Sequence, residues 1–195
     1  MDKGRLEAFS DAVIAIIITI MVLELRVPNE TTLAALRGLG AVFFCYVLSF
    51  VHLGIYWNNH HHLIKAADRI TGGVLWANLN LLFWLSLFPF ATGWMGENDF
   101  AELPTAVYGA VLLLAAIAYY TLQTTIVAAQ PDPTLDAALG RDLKGKLSPV
   151  IYALGIAMAF VSPWISIALY ASVAFMWLVP DRRLEPLIDT GNARD

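Results

Sequence analysis

At 195 residues, 58% hydrophobic and only 14% charged, the chain falls well short of the charged share of soluble domains, about 25%, and its mean hydropathy is +0.65. This excludes an ordinary water-soluble domain and fits one polytopic helical membrane domain, in which each helix satisfies its own backbone polar groups. The net charge of −4 is spread over the connections rather than gathered in a basic patch, so nucleic-acid binding has no support. Cys45 is the only cysteine, which leaves no intrachain disulfide and no thiolate metal site.

The first stretch, RLEAFSDAVIAIIITIMVLEL from Arg5 to Leu25, is apolar from Ala12 to Leu23 with Thr19 as its only hydroxyl. It carries Asp11 near its start, and an ionisable group inside a span is costly enough to mark a functional or structural-network residue. At about 100° per residue, Arg5, Phe9, Ala12, Ile16, Thr19, Ile20 and Leu23 form one stripe, while Ser10 and Asp11 point away from it. By composition alone such a stripe reads first as lipid-facing or ordinary core. Repeated around a symmetry axis, it would instead line a narrow apolar passage. The length of the apolar run, the acidic group before it and the lack of a small-residue cleavage site after it argue against a cleavable signal peptide.

Arg5, Phe9, Ser10 and Asp11 spell R-x-x-x-F-S-D at the start of a first membrane helix. This resembles the transmembrane-protein-175 family of potassium channels, in its single-repeat prokaryotic form. The runs YWNNHHHLIKAADRI and LNLLFWLSLFPF are similar to that family too, so the likeness covers most of the chain. The resemblance implies a homotetramer in which helix 1 lines a central pore. It also implies that Ile16 forms the constriction, that Thr19 supplies a hydroxyl ring, and that Ile20 and Leu23 form apolar rings further out.

In chain order, the first segment runs from about Leu6 to Val27 and is stopped by Pro28-Asn29, and the second runs from about Leu33 to Asn58 behind a Thr31-Thr32 cap. The third runs from about Ile70 to Phe90, where Pro89 breaks it. The fourth runs from about Pro104 to Ala129, opened by a first-turn proline and closed by the Gln130-Pro131-Asp132-Pro133 turn. The last apolar region, Pro149 to Val179, would extend about 46 Å as one helix, too long for a core about 30 Å thick, and Ser162-Pro163 divides it in two. Charge supports two crossings rather than one. With six transmembrane helices and both termini in the cytoplasm, ten of the twelve Lys and Arg residues lie inside and only Arg26 and Arg37 outside. The expected organisation is therefore an all-α, multi-pass cell-membrane domain over residues 1–180 with a short charged cytoplasmic tail over 181–195.

His60-His61-His62 could hold a metal, but consecutive helical residues diverge by about 100° and do not converge on one ion. The predicted role is local: one or more of them hydrogen-bonds the Ser10-Asp11 motif, with Trp76, Asn78 and Asn80 as further candidate partners, gluing helices together without touching an ion. His52 is a second ionisable residue within a span, read first as a neutral histidine satisfied by one partner. Glu24, just beyond Leu23, could concentrate cations at a mouth, whereas Glu30, Glu97, Asp99 and Glu102 read as a solvated face.

There is no T-V-G-Y-G filter, no arginine ladder, no P-loop, no G-x-S-x-G and no H-E-x-x-H. No convergent nucleophile and base point to an enzyme, and no cofactor is indicated. The favoured reading is a potassium-selective channel whose selectivity arises at side-chain rings, with potassium only in transit, no resident metal, and lipid as its surroundings. The alternative is a proton- or ion-coupled secondary transporter using Asp11 and His52 as relay groups.

Overall fold

The computed structural model describes residues 2–130 and 143–178. Among them there are eight helices: α1 Lys3–Leu23, α2 Leu33–Gly38, α3 Gly40–Lys65, α4 Gly72–Ser86, α5 Phe88–Glu97, α6 Glu102–Ala129, α7 Leu143–Ala159 and α8 Pro163–Leu178. By length and composition α1, α3, the α4–α5 pair and α6 are each able to cross a membrane. At 1.5 Å per residue α7 and α8 reach only about 25 Å each, less than a core of about 30 Å. The 181–195 tail and most of the connection opened by Pro131 lie outside the described residues.

Several boundaries differ from the sequence expectation. The first helix ends at Leu23 rather than near Val27. Its last turn tightens, with Leu25 N–H bonding the Val22 carbonyl, and Pro28 disfavours helical backbone in the residue before it. The segment expected over Leu33–Asn58 is two helices. Thr32 does cap α2, its Oγ1 accepting from Ala35 N–H at 3.2 Å, but α2 ends at Gly38, and α3 restarts at Gly40 and runs seven residues beyond Asn58 to Lys65. The polar WNNHHH run is therefore the end of a helix, held there by what it bonds to and not by its own hydropathy.

Pro89 does not end the third segment. It falls in the first turn of α5, where a missing N–H costs little. The break is one tight turn at Leu87, and the apolar path continues to Glu97. Pro149 likewise lies inside α7, which begins at Leu143, whereas the division before Pro163 falls where the sequence places it.

Close packing follows small residues. The most extensive helix contacts join α6 to α7, α4 to α6 and α7 to α8. Tyr170 of α8 is fully buried against Gly109 of α6 and Gly155 of α7, and a Cβ on either glycine would overlap its ring or hydroxyl. At Gly96 an added Cβ would come 2.8 Å from the Val42 backbone, so α3 and α5 cross there almost in backbone contact. Buried polar groups join the same helices. Ser49 Oγ donates to Tyr108 Oη at 3.0 Å and lies 2.7 Å from Thr92 Oγ1, linking α3, α5 and α6.

Candidate functional site

The α1 helix separates its residues into two faces. Leu6, Ser10, Ile14, Ile17 and Met21 are buried against the bundle at spacings of three and four. The predicted stripe of Arg5, Phe9, Ala12, Ile16, Thr19, Ile20 and Leu23 is exposed along its whole length, Ile16 by 59% and Leu23 by 76% of its surface. The rest of the subunit thus leaves this stripe uncovered. Thr19 Oγ donates to the Ala15 carbonyl at 2.8 Å. Its proton is used inside the helix, so what it offers outward is oxygen lone pairs.

The buried face carries a polar network at the N-terminal end of α1. His60 Nε2 is 2.8 Å from Asn78 Oδ1. Asn78 Nδ2 donates to Ser10 Oγ at 2.9 Å, and Ser10 Oγ donates to the Leu6 carbonyl at 2.9 Å. Because the amide oxygen can only accept, this order of donors fixes the proton of neutral His60 on Nε2. Ser10 and Asn78 are fully buried and His60 nearly so, so the chain ties α1, α4 and α3 together in a medium where an unpaired polar group is costly.

Two further contacts run beside it. Trp57 Nε1 donates to Asp11 Oδ1 at 3.0 Å, and His61 Nδ1 pairs with Glu7 Oε1 at 2.6 Å, with the Trp57 and His61 rings stacked 6.1 Å apart. Lys3 Nζ also donates to the Lys65 carbonyl at the end of α3.

Of the residues named from sequence, Ser10, Asp11, His60, His61 and Asn78 enter these contacts, but the expected histidine bond to the motif is indirect: His60 reaches Ser10 through Asn78, His61 pairs with Glu7, and the Asp11 partner is Trp57. His62 lies edge-on to His61. Trp76 and Asn80 do not join them. Both lie on the exposed face of α4, because residues two apart from Asn78 are turned about 200° around the helix. Arg5 and Phe9 belong to the exposed stripe rather than to the network.

Glu7 and Trp57 were missed by sequence reasoning, although the signal was present. Glu7, Ser10 and Asp11 are spaced i, i+3, i+4, as are Trp57, His60 and His61, so two matching polar faces meet. Among the described residues no group of three His, Cys, Asp or Glu side chains is placed to hold a metal. Glu24 follows α1, its carboxylate against Gly93, and beyond it the exposed Arg26–Glu97 pair spans 3.0 Å.

Long apolar helices, a buried interhelical polar network and an uncovered apolar stripe define a multi-span helical membrane protein with a specialised first helix. A family model described as endosomal/lysosomal potassium channel TMEM175 matches residues 5–89. A protein named potassium channel from Chryseobacterium sp. (strain P1-3) is 50% identical over 186 residues, covering 95% of this chain and 97% of that one. A second so named, from Streptomyces collinus, is 31% identical over 188 residues, covering 90% and 91%. The crystal structure of a lysosomal potassium-selective channel TMEM175 homolog from Chamaesiphon minutus superposes with a TM-score of 0.81 at 28% identity, covering 92% of this chain and 97% of that one. The chain belongs to the TMEM175 family and is a membrane ion-transport protein.

Proposed function

We propose that this protein is a passive, potassium-selective channel, assembled as a homotetramer around the exposed stripe of α1. The observation that carries the reading is the division of α1: its polar network is sealed inside the subunit, while Ile16, Thr19, Ile20 and Leu23 are left uncovered in register. Lipid could cover an apolar stripe as well. One helix cannot enclose a passage, however, so a conducting path along α1 needs further copies of it, and relatives that share nearly the whole chain are named potassium channels.

In this reading each subunit crosses the membrane six times with both termini in the cytoplasm, and residues 1–180 form the channel domain. Ile16 is the constriction and selects by its bore and by the cost of dehydration. Four Thr19 oxygens, their protons already engaged by Ala15 carbonyls, present lone pairs to a passing cation. Ile20 and Leu23 form the outer apolar rings, and Arg5 and Phe9 lie at the cytoplasmic end of the same surface. Potassium is in transit only.

Coupled transport would need Asp11 and His52 in one relay. Asp11 is bonded to Trp57 and His52 to the Leu48 carbonyl, so each has a partner of its own and neither bond leads to the other.

The test is potassium efflux from liposomes carrying purified protein, with sodium and a large organic cation as controls. The wild type is expected to give fast, potassium-preferring flux that needs no proton gradient. Ile16→Asn is expected to wet the constriction and lower the potassium-to-sodium ratio. Absence of flux in the wild type, or a dependence on a proton gradient, would overturn the channel reading, and unchanged selectivity in Ile16→Asn would overturn the filter assignment.

A further inference from the structure

A second polar feature lies away from α1. Between α3, α6, α7 and α8 there is a cavity of about 40 Å3 whose walls include His52, Tyr56, Gln123, Ser148, Tyr152 and Trp177. One water needs about 10–15 Å3, so the space suits two or three. Apolar cavities of this size stay dry, but His52 in this wall carries an acceptor that no described residue satisfies.

His52 is 2% exposed, and its Nδ1 lies 2.8 Å from the Leu48 carbonyl. A carbonyl only accepts, so Nδ1 holds the proton of the neutral ring and Nε2 presents a lone pair. Among the described residues Nε2 has no hydrogen-bond partner. The Tyr170 carbonyl of α8 lies beside the same ring, but it is a second acceptor and cannot donate to a lone pair. A water can meet both demands, giving one proton to Nε2 and the other to Tyr170 O.

Further partners line the chamber. The hydroxyls of Tyr56 and Tyr152 can donate to or accept from water. Ser148 Oγ accepts from Trp177 Nε1 at 2.9 Å and donates to the Lys144 carbonyl at 2.7 Å, forming a polar wall at the start of α7. Gly145 and Ser148 from the first turns of α7, with Trp177 from the last turn of α8, put the cavity mouth at the end of the bundle where α6 finishes.

We propose that this cavity is a hydrated proton-binding site within each subunit, in which two or three waters lead from the α7 end of the bundle to His52. Its ligand is water, together with the proton that water delivers. On taking up that proton, His52 becomes a donor at both nitrogens, to Leu48 O through Nδ1 and to the bridging water or Tyr170 O through Nε2, so no acceptor is left unmet. The titratable groups around it are Tyr56 of α3, Tyr119 and Tyr120 of α6, Tyr152 of α7 and Tyr170 of α8, with Lys144 as the charged group near the mouth, 5.8 Å over the Trp177 ring. Among the described residues no carboxylate lines the cavity. The route is separate from the α1 stripe, because the described residues of its walls belong to α3, α6, α7 and α8.

The experiment is magic-angle-spinning NMR of the full chain in lipid bilayers, labelled with 15N histidine, the His52 signals being assigned by their loss in His52→Gln. The expected result is strong magnetisation transfer from water protons to the His52 ring, with Nε2 unprotonated at neutral pH and its shift following the pH of the bathing solution. Ala174→Leu and Ala116→Leu, which fill the chamber from α8 and from α6, should each reduce that transfer to the level seen for the buried His60 ring. A dry His52 in the wild type would overturn the proposal, and so would transfer that survives in whichever filled variant folds. None of these readouts requires the protein to conduct, so the outcome stands apart from the flux assay.

Discussion

Replacing Asn78 with leucine removes the central member of the network while keeping the number of side-chain heavy atoms and the branch at Cγ. Asn78 makes two interhelical bonds, to His60 at 2.8 Å and to Ser10 at 2.9 Å, and is fully buried. Side-chain hydrogen bonds between membrane helices average about 0.6 kcal/mol and reach about 1.7 kcal/mol. Two of them give an expected loss of about 1–3 kcal/mol. The loss is not shared equally. Ser10 keeps its bond to the Leu6 carbonyl, whereas the His60 ring loses the partner of Nε2 and its Nδ1 has no hydrogen bond among the described residues.

A double-mutant cycle separates the two contributions. His60→Leu alone should destabilise, and His60→Leu with Asn78→Leu should cost less than the two single changes summed, by about 1 kcal/mol, because the second change has no orphan left to create. The assay is reversible unfolding by SDS in mixed micelles, followed by tryptophan fluorescence. Additivity within about 0.5 kcal/mol would refute the coupling. Trp76→Phe, on the exposed face of α4, should leave this coupling unchanged.

Two other outcomes follow from the packing and the polar contacts. Gly155→Ala places a methyl group into the Tyr170 ring and should destabilise by about 1–3 kcal/mol, read as a fall in thermal midpoint in detergent; an unchanged midpoint would mean that α7 and α8 are not packed as described. Asp11→Ala strands the Trp57 indole N–H and should lower the yield of assembled protein more than it alters ion preference, whereas Asp11→Asn keeps an acceptor and should be milder. Normal assembly with altered selectivity in Asp11→Ala would contradict a packing role.

Much of this architecture was legible because hydropathy and helical periodicity act residue by residue. The α1 stripe could be read from spacing alone, since the side that turns Ser10 and Asp11 toward the subunit leaves the other side out. The division before Pro163 was legible because a proline after a serine resets the helix. What escaped was whatever depends on a partner. By hydropathy the second segment stops near Asn58, whereas the helix runs on to Lys65 with Trp57 bonded to Asp11, His60 to Asn78 and His61 to Glu7. Pro89 looks like a terminator and is harmless in a first turn. Trp76 and Asn80 were grouped with Asn78 by nearness in sequence, whereas the face of α4 that presents Asn78 to α1 turns the other two away.

The central claim is that the exposed stripe of α1 faces the ion path. It is tested most directly by cysteines placed one at a time on the two faces of that helix, in a Cys45→Ala background, with potassium current recorded in planar bilayers during exposure to a small cationic thiol reagent. Modification of Thr19→Cys should block the current irreversibly, while Ile17→Cys, whose side chain is buried within the subunit, should be untouched. Current that persists through modification at Thr19, or block at Ile17, would contradict the account.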